Sequence, residues 1–456
     1  MELNQQQIRQ YFNFLKGSSR TDKAKKHIFF LFILHAFNLG LTLLLVPITL
    51  KVLNPGEYGI WLTIISITTW FISLDFGLGN GLRNKLAEAL AKNDEMLAKT
   101  YVSTAYLYLS SLVALFYVIF LIVNPFISWS SILNVSQNLS VDINKVVFIV
   151  FSFFFLNFIL KLVTIIAIAD QKPAVNGLLT LFINLLTVIA LAILAETDYA
   201  NLLYMGAISS AIPAIIYIMA SIRFFSREYK SIRPSLRHIA PGYSKSLLSL
   251  GFRFFVIQVA SLIIFATDNV IITQIFSPSE VTVYNVAYKY FTITSLVFGV
   301  ILTPFWSAYT EAFARSEMDW IRNVIRKLIR IWFLALGVVV ILVIISEPFY
   351  RFWVGTEIVV PFILSVLMAI FVSISMWNNI FAYFLNGVGK IQIQVYNAIF
   401  MGLLNIPLSI YFAGHLGLGI SGVILATIFC LLPSMIWAPL QYHKIVHGKA
   451  RGIWNR

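Results

Sequence analysis

Long apolar runs recur along the whole chain, separated by short polar stretches. They fall at about 28–50, 58–75, 101–123, 146–169, 174–195, 201–224, 247–275, 283–310, 328–346, 358–385, 391–413 and 418–440. Each is long enough to cross a hydrocarbon core as a helix. The pattern therefore predicts an all-α integral membrane protein of about twelve transmembrane helices.

Two of these regions repeat each other. Residues 51–92 and 274–315 align at a constant offset of 223 without a gap. Pro55 answers Pro278, Glu57 answers Glu280, Trp61 answers Tyr284, and Glu88-Ala89-Leu90-Ala91-Lys92 answers Glu311-Ala312-Phe313-Ala314-Arg315. Shared apolar composition does not place Pro, Glu, an aromatic and a charged end at one offset. A duplication does. Two homologous six-helix lobes follow, 28–224 and 247–440, joined by the basic segment 225–246 and flanked by tails 1–27 and 441–456. Internal repeats of membrane segments are the usual build of secondary transporters.

Composition excludes a soluble enzyme: 59% of residues are hydrophobic and only 11% charged, against about a quarter charged in soluble domains. The net charge of +14 is a topology signal. With basic residues at span ends counted in the adjoining loop, alternate connections carry 28 and 3 Lys or Arg, and Lys161 and Lys289 lie inside spans. Under the positive-inside rule both termini are expected in the cytoplasm. The same alternation denies a nucleic-acid partner the single basic face it would need. The polar first 26 residues do not read as a cleavable signal peptide, and stretch 8–15 suits either an interfacial helix or a solvated tail. The lone Cys430 offers no intrachain disulfide. Asn134-Val135-Ser136 and Asn138-Leu139-Ser140 are formal sequons in the longest outer loop, 124–145, a pattern common by chance.

Candidate chemistry is sparse. There is no GxxxxGK[ST] loop, no HExxH and no CxxC pair. Gly77-Leu78-Gly79-Asn80-Gly81 follows a span rather than a strand, so it reads as the end of span two, with Asp75, Arg83 and Lys85 along the cytoplasmic rim. Charges inside hydrocarbon are costly and mark function or pairing. Lys161 lies about 12 Å from the cytoplasmic end of span four. It either faces a central cavity or snorkels to the interface. Asp268 and Lys289 flank the short 276–282 loop at matched distances and are expected to pair across spans seven and eight. Their counterparts at offset 223 are the uncharged Leu45 and Ser66. Arg253, at the cytoplasmic start of span seven, is placed to snorkel. Pro47, Pro213, Pro304, Pro407 and Pro433 kink spans, and Asn38, Asn157, Asn184, Gln258 and Asn405 satisfy packed faces or a polar lumen.

The stretch VLNPGEYGIWLTIISITTWFISLDFGLGNGLRNKLAEALAKND resembles the polysaccharide flippase branch of the multidrug/oligosaccharidyl-lipid/polysaccharide (MOP) exporter superfamily. The resemblance rests on the N-P-x-E-Y-G turn after span one and on D-x-G-L with a following Arg after span two. The turns Ala169-Asp170-Gln171-Lys172 and Asn386-Gly387-Val388-Gly389-Lys390 are similar to turns at equivalent places there. The motifs concentrate in 52–95, with weaker echoes in 268–315. The resemblance implies a MATE-like, V-shaped pair of lobes working by alternating access, and no enzymatic activity. It implies a cargo of oligosaccharide on polyprenyl diphosphate, flipped outward across a bacterial inner membrane for O-antigen, capsule or exopolysaccharide. Membrane lipids are expected partners, with a polysaccharide polymerase and a chain-length regulator as companions. Lys161, Lys289, Asp268 and Arg253 become candidate cavity residues. No cofactor is implied beyond H⁺ or Na⁺ coupling. Drug exporters of the superfamily often carry an acidic residue in span one, where this chain has only His35 and Asn38. A multidrug/cation antiporter and a non-transporting scaffold of a glycan-assembly complex stand as alternatives.

Overall fold

The computed structural model describes residues 19–71, 78–135, 142–170, 172–240, 242 and 267–455. The first group of helices comprises α1 (Ser19–Val52), α2 (Pro55–Trp70), α3 (Leu78–Ala91), α4 (Glu95–Val123), α5 (Ile143–Leu160), α6 (Leu162–Ala169), α7 (Pro173–Leu194) and α8 (Leu202–Ser226). The second comprises α9 (Asp268–Ile275), α10 (Pro278–Ala314), α11 (Met318–Ile344), α12 (Ser346–Val354), α13 (Phe362–Gly387), α14 (Gln392–Ile410) and α15 (Ile420–Val446). Among the described residues nine helical segments are long and apolar enough to cross a membrane. The chain is a multi-pass, all-α membrane protein.

Within the first group α1 lies on α7, α8 on α5 and α7, and α3 on α4 and α6. In the second, α13 packs on α10, α11 and α15, and α14 on α15. Amide side chains tie these helices where hydrocarbon offers no other partner. Asn38 on α1 donates to Gly177 O at 3.3 Å and accepts from Asn184 on α7 at 3.1 Å. Asn157 on α5 donates to Ser210 O on α8 at 2.9 Å. These asparagines are packing residues. The predicted span four is found as one apolar segment, Ile143–Ala169, interrupted only at Lys161 between α5 and α6, where the backbone keeps right-handed helical angles.

Helix starts follow local chemistry. Asn54 caps α2 through a full capping box with Glu57 (Glu57 N to Asn54 Oδ1, 2.9 Å), and Pro55 takes a first-turn position where its missing N–H costs nothing. Pro278 opens α10 in the same way. The two repeat-related turns thus start two helices, and α2 packs against α10. This contact joins the two groups. The connecting segment is not free either: Ser235 N donates to Ser103 Oγ (3.0 Å) and Ala240 N to Thr104 Oγ1 (3.2 Å), laying it against α4.

Candidate functional site: the seam between the lobes

The seam has approximate two-fold character at the tip that holds Pro55 and Pro278. Gly59 meets the Pro278 carbonyl so closely that a Cβ there would fall 1.6 Å from its oxygen. Its repeat mate Thr282 donates to the Pro55 carbonyl at 2.6 Å. Gly56 faces its own repeat mate Ser279. Contacts of i with j′ matched by i′ with j are the signature of an isologous interface, built here from one chain. Glycine is required at 59 because only a residue without Cβ lets the backbones touch.

Further along, polar side chains cross the seam in pairs. The fully buried Thr63 and Thr273 hydroxyls bond at 2.7 Å. Asn269 Nδ2 donates to Ser66 Oγ at 2.7 Å, and within the second lobe Asn285 supports it by donating to Asn269 Oδ1 at 2.7 Å. Lys289 Nζ donates to Tyr58 OH at 2.8 Å, with the ammonium 5.5 Å from that ring's centroid. Asn134, in the connection between α4 and α5, takes a left-handed backbone (φ 47°) and sends its amide to Thr273 O (2.9 Å) and Phe276 O (3.3 Å). Gln274 answers by donating to Ser131 O and Ile132 O. Trp353 Nε1 reaches Leu43 O on α1 at 3.1 Å. These inter-lobe hydrogen bonds lie in the half nearest the loops before Pro55 and Pro278. The lobes are clasped at that end.

The expected Asp268–Lys289 pair does not form. Asp268, 4% exposed, accepts from Tyr284 OH at 2.5 Å, while Lys289 turns to Tyr58 in the other lobe. The depths match but the helix faces do not. Tyr284 and Tyr288 share one face of α10, stacked on each other, with Tyr288 also stacked on Phe371 of α13. Asn285 and Lys289 sit one residue on, rotated by about 100°; Asn285 meets Asn269 on α9 and Lys289 reaches Tyr58 on α2. Position in sequence set the depth, and rotation decided the partner.

The other candidates scatter. Lys161 is exposed at the α5–α6 break, without an ion pair among the described residues. Arg83 is exposed on α3. Lys85 pairs with Glu88 at 3.3 Å, and Glu88 also holds Lys92 at 2.9 Å. The hydrogen bonds from Lys92 and then Lys85 keep the Glu88 carboxyl below the ordinary carboxylate range. Arg253, Asp75, Gln258 and stretch 8–15 lie outside the described residues, as does the side chain of His35. One unanticipated cluster joins the turn after α6 to the end of α8. Lys172 contacts Asp170 at 2.6 Å and Glu228 at 2.5 Å, and Tyr229 OH donates to Asp170 at 3.0 Å. Partial burial works against the Lys172 ammonium, but the two carboxylates outweigh it and raise its pKa above the lysine norm. Burial first, then Asp170, raises that of Tyr229.

Sequence reasoning named Lys289 but missed Tyr58, Ser66, Asn269 and Asn134 as seam residues. The offset of 223 was the available signal, since Gly56/Ser279 and Gly59/Thr282 are repeat mates. Asn134 drew notice only as a sequon. Its amide is in fact committed to the opposite lobe.

A family model described as polysaccharide biosynthesis protein matches residues 24–309, more than half of the chain. The chain belongs to this family. Among curated relatives, a "Putative O-antigen export protein" of Yersinia pseudotuberculosis is 22% identical over 88% of this chain and 91% of its own. A "Putative O-antigen transporter" of Salmonella typhi is 23% identical over 88% and 92%. Among solved structures, an inward-facing multidrug resistance MATE family transporter of the MOP superfamily superposes with a TM-score of 0.76. It covers 91% of this chain and 96% of its own at 14% identity. An outward-facing MATE family structure gives 0.66, at 15% identity and 94% and 97% coverage. This polysaccharide biosynthesis family member has the MATE-like fold of the MOP superfamily, in agreement with the resemblance seen in 52–95.

Proposed function

We propose that this membrane transporter flips an oligosaccharide carried on polyprenyl diphosphate from the cytoplasmic to the outer leaflet of a bacterial inner membrane. The observation that carries the reading is the polar clasp between the lobes. Two lobes held together at the end nearest Pro55 and Pro278 by paired polar contacts suit alternating access, in which such a clasp would open. The basic bias puts both termini in the cytoplasm and the clasped end outside. In this reading the opposite end faces inward, toward the leaflet on which such a cargo is assembled. Names of the O-antigen relatives support the cargo class. The physics agrees: a diphosphate and a glycan cannot cross hydrocarbon unaided, whereas a polyprenyl tail can stay in lipid.

Lys289 and Lys161 supply charge for the diphosphate in this reading. Lys289 is bonded to a neutral tyrosine rather than to a carboxylate, and Lys161 has no ion pair among the described residues. Each therefore carries uncompensated positive charge. Arg83 and Lys85 sit along the rim by which cargo enters.

Deleting the gene is expected to strip the surface glycan and leave lipid-linked units on the cytoplasmic leaflet. Intact glycan combined with altered dye efflux would replace this proposal with the drug-antiporter reading.

A further inference from the structure

A proline inside a helix has no N–H to return to the carbonyl four residues back, and in hydrocarbon that carbonyl needs another donor. Two tryptophans of the second lobe supply one. Pro439 lies inside α15, and Trp377 Nε1 on α13 donates to Met435 O at 3.2 Å. Pro47 lies inside α1, and Trp353 Nε1 on α12 donates to Leu43 O at 3.1 Å. The first bond stays within the second lobe, whereas the second crosses to the first lobe. The hydroxyls of Thr42 and Thr49 on α1 are turned to the carbonyls of Asn38 and Leu45, so they do not serve Leu43. Trp353 reaches α1 from a firm base. Phe349 and Tyr350 of α12 pack against the Tyr290 ring of α10, with centroids 4.7 and 5.2 Å apart, and Phe349 also meets the Trp353 ring at 5.7 Å. Tyr350 OH and Ser365 Oγ on α13 lie 3.1 Å apart. Val270 stands at the repeat position of Pro47, so the repeat-related helix has no proline there.

We propose that Trp353 is a positioning residue of the gate between the lobes: its indole replaces the donor that Pro47 lacks and so fastens span one to the second lobe. Indole suits the task, because it carries one N–H and no acceptor on a large apolar ring. The bond holds only while the lobes are together. When they part, Leu43 O must take a hydrogen bond from water, since an unserved backbone carbonyl is too costly in hydrocarbon. Parting at this end is thereby tied to entry of water at the Pro47 position of α1. Trp377 faces no such change, because it and Met435 belong to one lobe. The pairing has a sharp consequence: the Trp353 N–H matters because residue 47 is proline.

This inference rests on the alternating-access part of the proposed function and is tested without cargo. The reporter is disulfide formation in membranes between Gly56→Cys and Ser279→Cys, with Cys430→Ala as background; a Cβ on Gly56 would lie 3.4 Å from Ser279 Oγ. Trp353→Phe keeps an aromatic ring and removes the donor, and it should slow the cross-link about tenfold. With Pro47→Ala in place, an N–H returns to Leu43 O within the helix, and adding Trp353→Phe should then change the rate by less than about twofold. Trp377→Phe removes the corresponding bond inside one lobe and should leave the cross-link at the parental rate. Parental cross-linking in Trp353→Phe, or equal slowing by it with and without Pro47→Ala, would overturn the proposal. Slowing of the same size by Trp377→Phe would overturn it too. Should Pro47→Ala fail to reach the membrane, a water-soluble thiol reagent on Leu43→Cys decides: Trp353→Phe should speed its labelling about tenfold, and an unchanged rate sinks the idea. Surface glycan intact after gene deletion would retire the cargo reading and leave these rates, and this inference, untouched.

Discussion

Gly59 is the position at which one added carbon should part the lobes. An alanine Cβ would lie 1.6 Å from Pro278 O and 2.4 Å from its carbonyl carbon, where about 3.5 Å is needed. Both are backbone atoms at the start of α10, so no rotamer change relieves the clash, and the helices must separate by about 2 Å. The nearby bonds at 2.6–2.8 Å, Thr282 to Pro55, Thr63 to Thr273 and Asn269 to Ser66, would then exceed hydrogen-bonding range. At about 0.5–1.5 kcal/mol each, three such bonds amount to roughly 2–4 kcal/mol. That shifts the clasped-to-open equilibrium by about 30- to 1000-fold. Repeat mates Gly56 and Ser279 provide the assay. A Cβ on Gly56 would lie 3.4 Å from Ser279 Oγ, so Gly56→Cys with Ser279→Cys should cross-link in membranes when the lobes are clasped. Cys430 is the only native cysteine, and replacing it removes background. Adding Gly59→Ala should slow cross-linking at least tenfold while membrane abundance stays near that of the parent. Cross-linking at the parental rate would refute the argument that close backbone approach holds the clasp.

Other consequences can be checked alongside. Asn134→Ala removes two inter-lobe bonds and should weaken the same cross-link by roughly ten-fold, about 1–2 kcal/mol; no change would show the outer loop to be passive. Lys161→Gln with Lys289→Gln should cut glycan export without lowering abundance, and Arg at both sites should restore part of it; normal export from the double Gln variant removes both from the cargo site. Asp268→Asn and Lys289→Gln should act independently on stability, with a coupling below about 0.5 kcal/mol; coupling above 1 kcal/mol would revive their pairing. Lys172→Gln should lower stability by no more than about 1 kcal/mol, because its partners are half-exposed. As the folded pKa of Lys172 is raised, its contribution is present below the unfolded lysine value and is lost only as pH climbs through the folded one. A stability loss centred near neutral pH would contradict that assignment.

Much of this molecule was legible along the chain because hydrocarbon imposes one-dimensional rules. A span needs a length of apolar residues, a flank needs basic charge, and a duplicated segment keeps its Pro, Glu and aromatic positions in register. These rules yielded the spans, the repeat and the family motifs in 52–95. They also placed Asp268 and Lys289 at similar depth. Which neighbour each charge met was a matter of rotation about the helix axis and of which helix stood opposite, and neither is written in a hydropathy pattern. Tertiary packing gave Asp268 to Tyr284 and Lys289 to Tyr58. It committed the sequon residue Asn134 to the far lobe and made Gly59 a point of backbone contact. Sequence determines how far into the membrane a residue sits, because depth follows from counting along a helix. Only the folded bundle decides what it touches, because contact depends on the facing of helices remote in the chain.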